Sequence, residues 1–392
     1  MATKIIPEVE TFARIKVVGV GGSGRNAINH MINSHVKGVD FVAINTDAQD
    51  LHHSLAKYKV HIGKNLTRGL GTGMNPATVK QAAEETKEEV QESLKGADMV
   101  FIACGMGGGT GTGAAPIVAR TAKELGALTI AVTTRPFSFE GAQRGRLAEQ
   151  GLEELRKEVD ALIVIPNDRL LSVVDKQTTA RSAFAMCDDI LRQAVEGISD
   201  IIVTPGIINV DFADVRAIME NAGSALMGIG LASGEKRAEE AAKSAINSPL
   251  LDISINGAKG VLFAIAGGDD ITMHEIQESA KVITESIDPN AKVIFGAIKD
   301  EKLKKNEIRV TVIATGFPES EISKSEPVFQ LKKQETKQED REERRMETPI
   351  IKTISPIIQP KENKMENKPL PLSEDDNDWG AVPAFLRRNK IK

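Results

Sequence analysis

The feature that most constrains the fold of this chain is a glycine-rich run at residues 105–113, Gly-Met-Gly-Gly-Gly-Thr-Gly-Thr-Gly. An apolar segment, Met99–Cys104, precedes the run, and a helix-like segment, Ala114–Leu125, follows it. Glycine lets the backbone approach a ligand closely, and successive N–H groups at a helix start form a concavity that binds anions. The run therefore predicts a polyphosphate-binding loop, with a flexible linker as the alternative.

Short apolar runs alternate with helix-like segments through the first half of the chain. This alternation predicts an α/β fold with a mostly parallel sheet that helices cover on both faces. Ligands of such sheets bind beyond the carboxyl ends of the strands, where two further glycine turns, at 21–24 and 69–73, also fall. The predicted strands are 14–20, 41–44, 99–104, 128–133 and 161–165, and the predicted helices are 26–32, 76–95 and 114–125.

The second half predicts a smaller α+β domain joined to the first by a long central helix. Its helices are expected at 211–220 and 235–246 and its strands at 261–266, 293–298 and 308–314. Beyond Pro318 the composition becomes that of a disordered linker. The predicted order is an extension at 1–11, a nucleotide-binding domain at 12–178, the central helix at 179–203, the α+β domain at 204–318, the linker at 319–376 and a tail peptide at 377–392.

The bulk properties argue against several classes of protein. A net charge of −5 and a pI near 5.9 argue against a nucleic-acid binder. Cys104 and Cys187 are the only cysteines, so no disulfide framework or zinc cluster is expected. No stretch is long and apolar enough for a membrane span, and Met1–Phe12 has no signal-peptide pattern. These properties favour a protein of the reducing cytoplasm.

The first glycine turn also permits a second interpretation. Residues 19–24 fit the G-x-G-x-x-G pattern after a strand, and Asp47 follows the next strand, where an NAD-dependent oxidoreductase holds its ribose. The two additional glycine loops and the absence of an obvious hydride-transfer constellation argue against that reading. Several loops converging on one ligand favour a nucleoside triphosphate. Because no P-loop motif is present, backbone N–H groups and a metal ion would have to hold the phosphates.

A pair of carboxylates, Asp211 and Asp214, lies in the segment Asn209-Val-Asp-Phe-Ala-Asp. Residues three apart share one face of a helical turn, and such a pair can polarise a water molecule for attack on phosphorus. Alternatively, Asp211 caps the helix and Asp214 completes a capping box. The pair follows the long helix, so it should lie far from the nucleotide. Two chains stacked head to tail would bring the two together.

The motifs taken together resemble FtsZ, the bacterial tubulin-like family of cell-division GTPases. The resemblance covers residues 12–316 and the last dozen or so residues. The motifs that carry it are residues 107–113, Gly21-Gly22 with Asn26, Asn45-Thr46-Asp47, the segment Gly69 to Pro76, Pro136-Phe-x-Phe-Glu140-Gly with Arg144, Asn167-Asp168, and Asn209 to Asp214.

The resemblance implies a Rossmann-like, tubulin-like GTPase domain that binds GTP or GDP, with Mg²⁺ carried by the phosphates and water. Glu140 and Arg144 would lie at the ribose, Phe184 would stack on guanine unless it is a core residue, and Asn167 and Asp188 would read the edge of the base. The remaining implied nucleotide-binding residues are Gly21, Gly22, Ser23, Gly24, Arg25, Asn26, Asn45, Asp47, Gly71, Gly73, Gly107, Gly108, Gly109, Thr110, Gly111, Thr112, Gly113 and Pro136.

The resemblance also implies a head-to-tail homopolymer in which Asn209, Asp211 and Asp214 complete the active site of the next subunit. Such a filament would form the division ring in the cytoplasm, at midcell on the inner face of the membrane. The peptide Trp379–Arg388 would bind membrane-anchor and regulatory proteins; a frayed terminus is the alternative. A tubulin-like filament that partitions DNA is the rival function. Ser23, Arg25, Cys104 and Ala381 depart from the family pattern, and we expect them to tune affinity.

Overall fold

The computed structural model describes residues 13–171, 177–248, 251, 255–300 and 302–317. The predicted extension at 1–11, linker and tail peptide lie outside these residues, and the proposed domain boundaries stay a prediction. The described strands are β1 (Ile15–Val20), β2 (Val39–Asn45), β3 (Tyr58–His61), β4 (Met99–Gly105), β5 (Leu128–Arg135), β6 (Ala161–Pro166), β7 (Gly223–Ser233), β8 (Gly260–Gly267), β9 (Lys292–Lys299) and β10 (Glu307–Thr315).

Helices cover the strands and connect them. Within the described ranges they are α1 (Gly21–Asn33), α2 (Ala48–His52), α3 (Lys64–Thr67), α4 (Pro76–Glu85), α5 (Lys87–Leu94), α6 (Thr110–Glu124), α7 (Ala142–Glu158), α8 (Asn167–Leu171), α9 (Ala180–Val203), α10 (Phe212–Met219), α11 (Arg237–Ile246) and α12 (Met273–Thr284). None of these helices meets the length and hydropathy of a membrane span.

The ten strands form one sheet in the order β3-β2-β1-β4-β5-β6-β7-β10-β8-β9. The seven strands from β3 to β7 pair in parallel, whereas β10 pairs antiparallel with both β7 and β8. The predicted mostly parallel α/β sheet is thus confirmed. Its parallel part brings the carboxyl ends of β1, β2, β4, β5 and β6 to one edge, which we call the carboxyl edge.

Two apolar cores lie on opposite faces of the parallel strands. One includes Ile28 and Met31 of α1 with Leu191 and Ile198 of α9, and the other includes residues of α4, α5, α6 and α7. Strand β4 is buried along its length except for Gly105, which is half-buried. A strand covered on both faces reads as a continuous apolar run, and this pattern made β4 predictable.

The central helix α9 agrees with the predicted span of 179–203. Thr179 is its N-cap, and the Thr179 side chain accepts a hydrogen bond from the Ser182 N–H. The helix packs Leu191, Val195 and Ile198 into the core. It therefore runs for 24 residues from the carboxyl edge, where its first turns lie, toward the second half of the chain.

The structure differs from the sequence predictions in three respects. The helix predicted at 76–95 is broken at Thr86, whose hydroxyl donates to Ala82 O and accepts from Gly63 N–H. Helices α1 and α6 begin at Gly21 and Thr110, so they include glycines that were assigned to loops. Strands β3 and β7 and helices α2, α3, α7, α8 and α12 were not predicted at all.

Candidate nucleotide-binding site

A cleft of about 380 Å³ opens at the carboxyl edge of the sheet. It lies between the first turns of α1 and α6, the loop after β5, and the first turns of α8 and α9. Most of the residues that the sequence assigned to nucleotide binding line this one space. These are Gly21, Gly22, Ser23, Asn26, Gly108, Gly109, Thr110, Gly111, Pro136, Glu140, Arg144, Asn167, Phe184 and Asp188.

The glycines at the starts of α1 and α6 serve two different structural purposes. A Cβ on Gly24 would collide with Ala103 O, and a Cβ on Gly111 would collide with Gly105 O, so these two glycines permit close packing of a helix on a strand. Around Gly108, by contrast, no described heavy atom lies within 4 Å of a Cβ position. Its backbone therefore faces open space in the cleft, as a phosphate-binding loop requires.

Other predicted residues hold the cleft together from outside its lining. Thr112 Oγ1 accepts the Gly107 N–H at 2.9 Å, which closes the glycine-rich loop on itself. Asp47 caps α2, since its Oδ1 accepts from Gln49 N–H at 2.9 Å and Asp50 N–H at 3.1 Å. The structure places these residues outside the lining: Gly24, Arg25, Asn45, Asp47, Gly71, Gly73, Gly107, Thr112 and Gly113.

A carboxylate and a guanidinium border the cleft after β5. Arg144 Nη1 donates to Glu140 Oε2 at 2.6 Å, and Glu140 Oε1 accepts the Phe137 N–H at 3.0 Å. Both oxygens of Glu140 are thus engaged, and the pair fixes the loop from Pro136 to the start of α7. A ribose hydroxyl that bonded to Glu140 would meet an already oriented acceptor.

The aromatic side chain of Phe184, on the first turns of α9, also lines the cleft. Phe184 is 47% exposed, so it is not a core residue. Its ring meets the buried ring of Phe137 edge-on, with centroids 5.3 Å apart and an interplanar angle of 87°. Because Phe137 holds Phe184 from one side, the remaining face of Phe184 is available for a planar ligand.

Two polar side chains, Asn167 and Asp188, line the same cleft as Phe184, and one of their oxygens has no hydrogen-bond partner within the described part of the chain. Asn167 is 5% exposed, and its Oδ1 is buried without a hydrogen bond. Burial raises the pKa of Asp188 to about 6, although the charges of His30 and Arg25 oppose this effect. A buried acceptor with no partner costs about 1–3 kcal/mol, which a ligand N–H would recover.

The acid pair is placed at the start of α10. Asp211 is the N-cap, because its Oδ1 accepts the Ala213 N–H at 3.1 Å. Asp214 lies in the first turn, and both residues are exposed. The capping role of Asp211 is therefore present. Asn209 stabilises the preceding turn, since its Oδ1 accepts the Gly206 N–H at 2.7 Å.

The acid pair and the cleft lie at opposite edges of the sheet. Arg216 of α10 donates to Asp98 O at 3.5 Å, and Asp98 immediately precedes β4. Gly223, which follows α10, donates to Asp160 O just before β6. Helix α10 therefore lies at the opposite edge of the sheet, where the parallel strands begin, which we call the amino edge. The seven residues of β4 separate that edge from the cleft by roughly 20 Å, at about 3.3 Å per residue.

Sequence reasoning missed some residues of the cleft and its support. Thr134 and Cys187 line the cleft. Asp50 lies outside the lining and accepts a hydrogen bond from Arg25 of α1. Burial raises the pKa of both Cys104 and Cys187 to about 12, so both thiols remain protonated at neutral pH. The position of Thr134 at the end of β5 was a usable signal, whereas Asp50 and Cys187 stand in no recognisable motif.

The expected Mg²⁺ has no dedicated ligand cluster in the described ranges. No three His, Cys, Asp or Glu residues there are grouped as metal ligands. The open backbone at Gly108 nevertheless fits a nucleotide whose own phosphates carry the ion. Binding of Mg²⁺ through the phosphates stays a prediction.

The fold and the cleft define a nucleotide-binding α/β protein that lacks a P-loop. Comparison with known families makes the assignment more specific. Residues 14–175 match the model of the Tubulin/FtsZ family GTPase domain, and residues 223–318 match that of the FtsZ family C-terminal domain.

Solved structures agree with the family models. An empty FtsZ dimer from M. jannaschii is 48% identical and has a TM-score of 0.75, with 78% of this chain and 89% of that chain covered. An FtsZ mutant from M. jannaschii is also 48% identical, with a TM-score of 0.76 and coverage of 79% and 92%. The chain belongs to the FtsZ family, a branch of the tubulin-like GTPases.

A more distant structure shares the fold alone. It is a GTPγS-bound protofilament of CetZ2 from Haloferax volcanii, at 21% identity and a TM-score of 0.66, with 80% of this chain and 97% of that chain covered. The family assignment favours a guanine nucleotide over the NAD that residues 19–24 and Asp47 also permitted.

Proposed function

We propose that this protein assembles head to tail in the presence of GTP and hydrolyses GTP where one subunit meets the next. One observation carries the proposal: the nucleotide cleft and the acid pair lie at opposite edges of one sheet. A contact between two different surfaces does not close on itself, so it generates a filament. The dimer and protofilament named for the related structures accord with such assembly.

In the cleft, different groups of the chain would bind the phosphates and the ribose of GTP. Backbone N–H groups of residues 108–111 and the side chain of Asn26 would bind phosphate oxygens. Glu140, oriented by Arg144, would accept a hydrogen bond from the ribose. Mg²⁺ bound to the phosphates would neutralise part of the charge that develops as the terminal phosphate leaves.

The base end would select guanine through Asp188. An ionised carboxylate accepts hydrogen bonds from the N1–H and the exocyclic amine of guanine, a pair of donors that adenine does not offer. Asn167 would accept a hydrogen bond from the same base through its buried Oδ1, and Phe184 would stack on the ring.

Hydrolysis would require the next subunit. Asp211 and Asp214 would polarise a water molecule and accept its proton, which is a contribution of about 10²–10⁴ in rate for a well-placed base. Asn209 would hold the turn that presents them. The cap formed by Asp211 is compatible with this role, because one carboxylate oxygen remains available.

The cellular role we propose is the division ring, with the peptide Trp379–Arg388 as the attachment point for membrane-anchor and regulatory proteins. The support is the FtsZ family assignment and the likeness of that peptide to the family's tail. A filament that partitions DNA would use the same head-to-tail contact. Depletion of the protein in its host would separate the two: failed septation supports the ring, and loss of DNA partition with normal septation opposes it.

The concentration dependence of turnover tests the shared site. GTP hydrolysis per molecule should rise steeply with protein concentration, because a lone subunit has only half of the site. Phosphate release should be measured with saturating GTP and Mg²⁺ from nanomolar to micromolar protein, with light scattering recorded in parallel. A specific activity that stays constant over this range would reject the proposal.

A further inference from the structure

A carboxylate lies directly behind the first glycine turn of the cleft. A Cβ built on Gly22 would lie 3.9 Å from Asp50 Oδ2. Gly22 lines the cleft at the start of α1, where the phosphates of GTP are expected to bind. A negative charge at this point opposes the binding of an anion, so its presence requires a physical explanation.

Two donors from different elements converge on this carboxylate. Arg25 Nη2 in the first half of α1 donates to Asp50 Oδ1 at 2.6 Å, and Asn45 Nδ2 at the end of β2 donates to Asp50 Oδ2 at 2.6 Å. The side chains of Arg25 and Asp50 are only 21% and 22% exposed. The ion pair is therefore less screened by solvent than a surface salt bridge.

The ion pair with Asp50 does not use all the donors of the Arg25 guanidinium. Arg25 Nε is buried and has no hydrogen-bond acceptor among the described residues. The charge of Arg25 also extends to the base end of the cleft, where it lowers the pKa of Asp188. Arg25 therefore offsets the negative charge of two carboxylates, Asp50 behind the cleft and Asp188 in its lining.

We propose that Arg25 and Asp50 are a positioning pair for the nucleotide phosphates: Arg25 neutralises Asp50, and Asp50 in turn ties α1 to Asn45 and α2. Arg25 then acts through Asp50 and does not line the cleft itself. The inference rests on the proposed function, because it assumes that GTP occupies the cleft. It adds a specific consequence, namely that loss of Arg25 weakens binding in proportion to phosphate charge.

The test compares nucleotides that differ only in their phosphates. GMP, GDP and GTP should be titrated into the full chain by calorimetry at pH 8, with EDTA present to suppress hydrolysis. This pH is well above the pKa of about 6 for Asp188, so changes in the ionisation of Asp188 do not contribute. In Arg25→Gln the affinity should fall by about fivefold for each added phosphate, the order expected for one unit charge at a partly exposed site.

Two further variants separate charge from structure. The double variant Arg25→Gln with Asp50→Asn removes both charges and should recover most of the lost affinity for GTP. Arg14→Gln is the matched control: it also removes one positive charge, but from an ion pair with Asp98 at the amino edge. It should leave the affinities for all three nucleotides within about twofold of the wild-type values.

Equal losses for GMP, GDP and GTP would overturn the inference, because a purely structural role of Arg25 has no dependence on phosphate charge. A double variant that binds GTP no better than Arg25→Gln would also overturn it. If the wild-type chain binds GTP and concentration-dependent hydrolysis is intact, such results reject this inference alone. A wild-type chain that binds no guanine nucleotide would reject the proposed function together with it.

Discussion

The two edges of the sheet differ in how completely their polar groups are satisfied. At the carboxyl edge, Asn167 Oδ1 is buried without a described partner, and the pKa of the half-buried Asp188 is raised to about 6. At the amino edge, Asp211 and Asp214 are exposed, and Asp211 is already bonded to its own helix. The cleft is therefore built to receive a ligand, whereas the acid pair is stable before any partner arrives. Within the described part of the sheet, the glycine-rich loop of residues 105–113 and the pair Asp211 and Asp214 thus lie at different edges.

Removal of one acid at the amino edge should have the largest effect. Asp214→Ala should retain GTP binding and lose about 10²–10⁴ in hydrolysis rate, because it removes a proton acceptor and no contact to the bound nucleotide. Binding should be followed by calorimetry and turnover by phosphate release. Glu220→Ala, at the exposed far end of the same helix, is the matched control and should be close to wild type. A variant that unfolds or loses GTP binding would instead favour a purely structural role.

Mixing experiments would test the same comparison directly. Gly108→Asp should be inactive, because it puts a carboxylate where the phosphates are expected. In an equal mixture with Asp214→Ala, about one contact in four would join an intact cleft to an intact acid pair. We therefore expect turnover of up to about a quarter of the wild-type rate. If the mixture is no more active than its separate components, one subunit must supply both halves of the site.

Loss of the stacking ring should have the next largest effect. Phe184→Ala should weaken GDP binding by about tenfold, as expected for the loss of one base–aromatic contact. Phe295→Ala removes a ring that is also partly exposed and in contact with another phenylalanine ring, but Phe295 lies on β9. This control should not change the affinity for GDP. Equal affinities of wild type and Phe184→Ala would exclude a stacking role.

The pH dependence of binding should report Asp188. Burial is the main cause of its raised pKa of about 6, and the ionised form is the one that accepts from guanine. Affinity for GDP should thus be complete well above pH 6 and fall by about tenfold near pH 5, as the carboxyl group takes up a proton. Calorimetry between pH 5 and 8 would measure this. In Asp188→Asn the dependence should largely disappear; a wild-type profile in that variant would assign the titration to another group.

A smaller effect is expected from Thr112, which holds the loop without lining the cleft. Thr112→Val removes the acceptor of the buried Gly107 N–H and should destabilise the fold by about 1–2 kcal/mol. Thermal unfolding without nucleotide would measure this loss. GTP affinity should change less than in Phe184→Ala. A larger loss of affinity than of stability would show that the Thr112 hydroxyl itself contacts the ligand.

The sequence was sufficient for the parts of the fold that have a simple periodicity or a clear boundary. Strand β4 is a fully apolar run, and Thr179 marks the start of α9. Helix α7 was missed because charged residues and two glycines obscure its apolar stripe. Strand β7 was missed because four of its eleven residues are alanine or serine and three are glycine. The break at Thr86 depends on a hydrogen bond to Gly63, a contact that local sequence does not encode.

The candidate site was predictable where residue types are chemically distinctive. Glycines of the runs at 21–24 and 105–113 line one cleft, as expected from parallel strands that end at one edge, whereas the run at 69–73 does not line it. Asn167 and Asp188, which the family resemblance indicated, line the same cleft. The sequence could not separate glycines that face the cleft from those, such as Gly24, that permit close packing. The sequence also did not indicate Asp50, whose proposed role depends on Arg25, a residue 25 positions away along the chain.

The N-cap at Asp211 has a consequence for the kinetics of assembly. A side chain that must be ordered at an interface costs about 0.5–1.5 kcal/mol of rotamer entropy at the moment of association. The bond from Ala213 N–H restricts the rotamers of the Asp211 carboxylate in the free subunit, so part of this cost is met before association. An incoming subunit would then present a preorganised acid, and the delay between docking and phosphate release would not include a conformational search by that side chain.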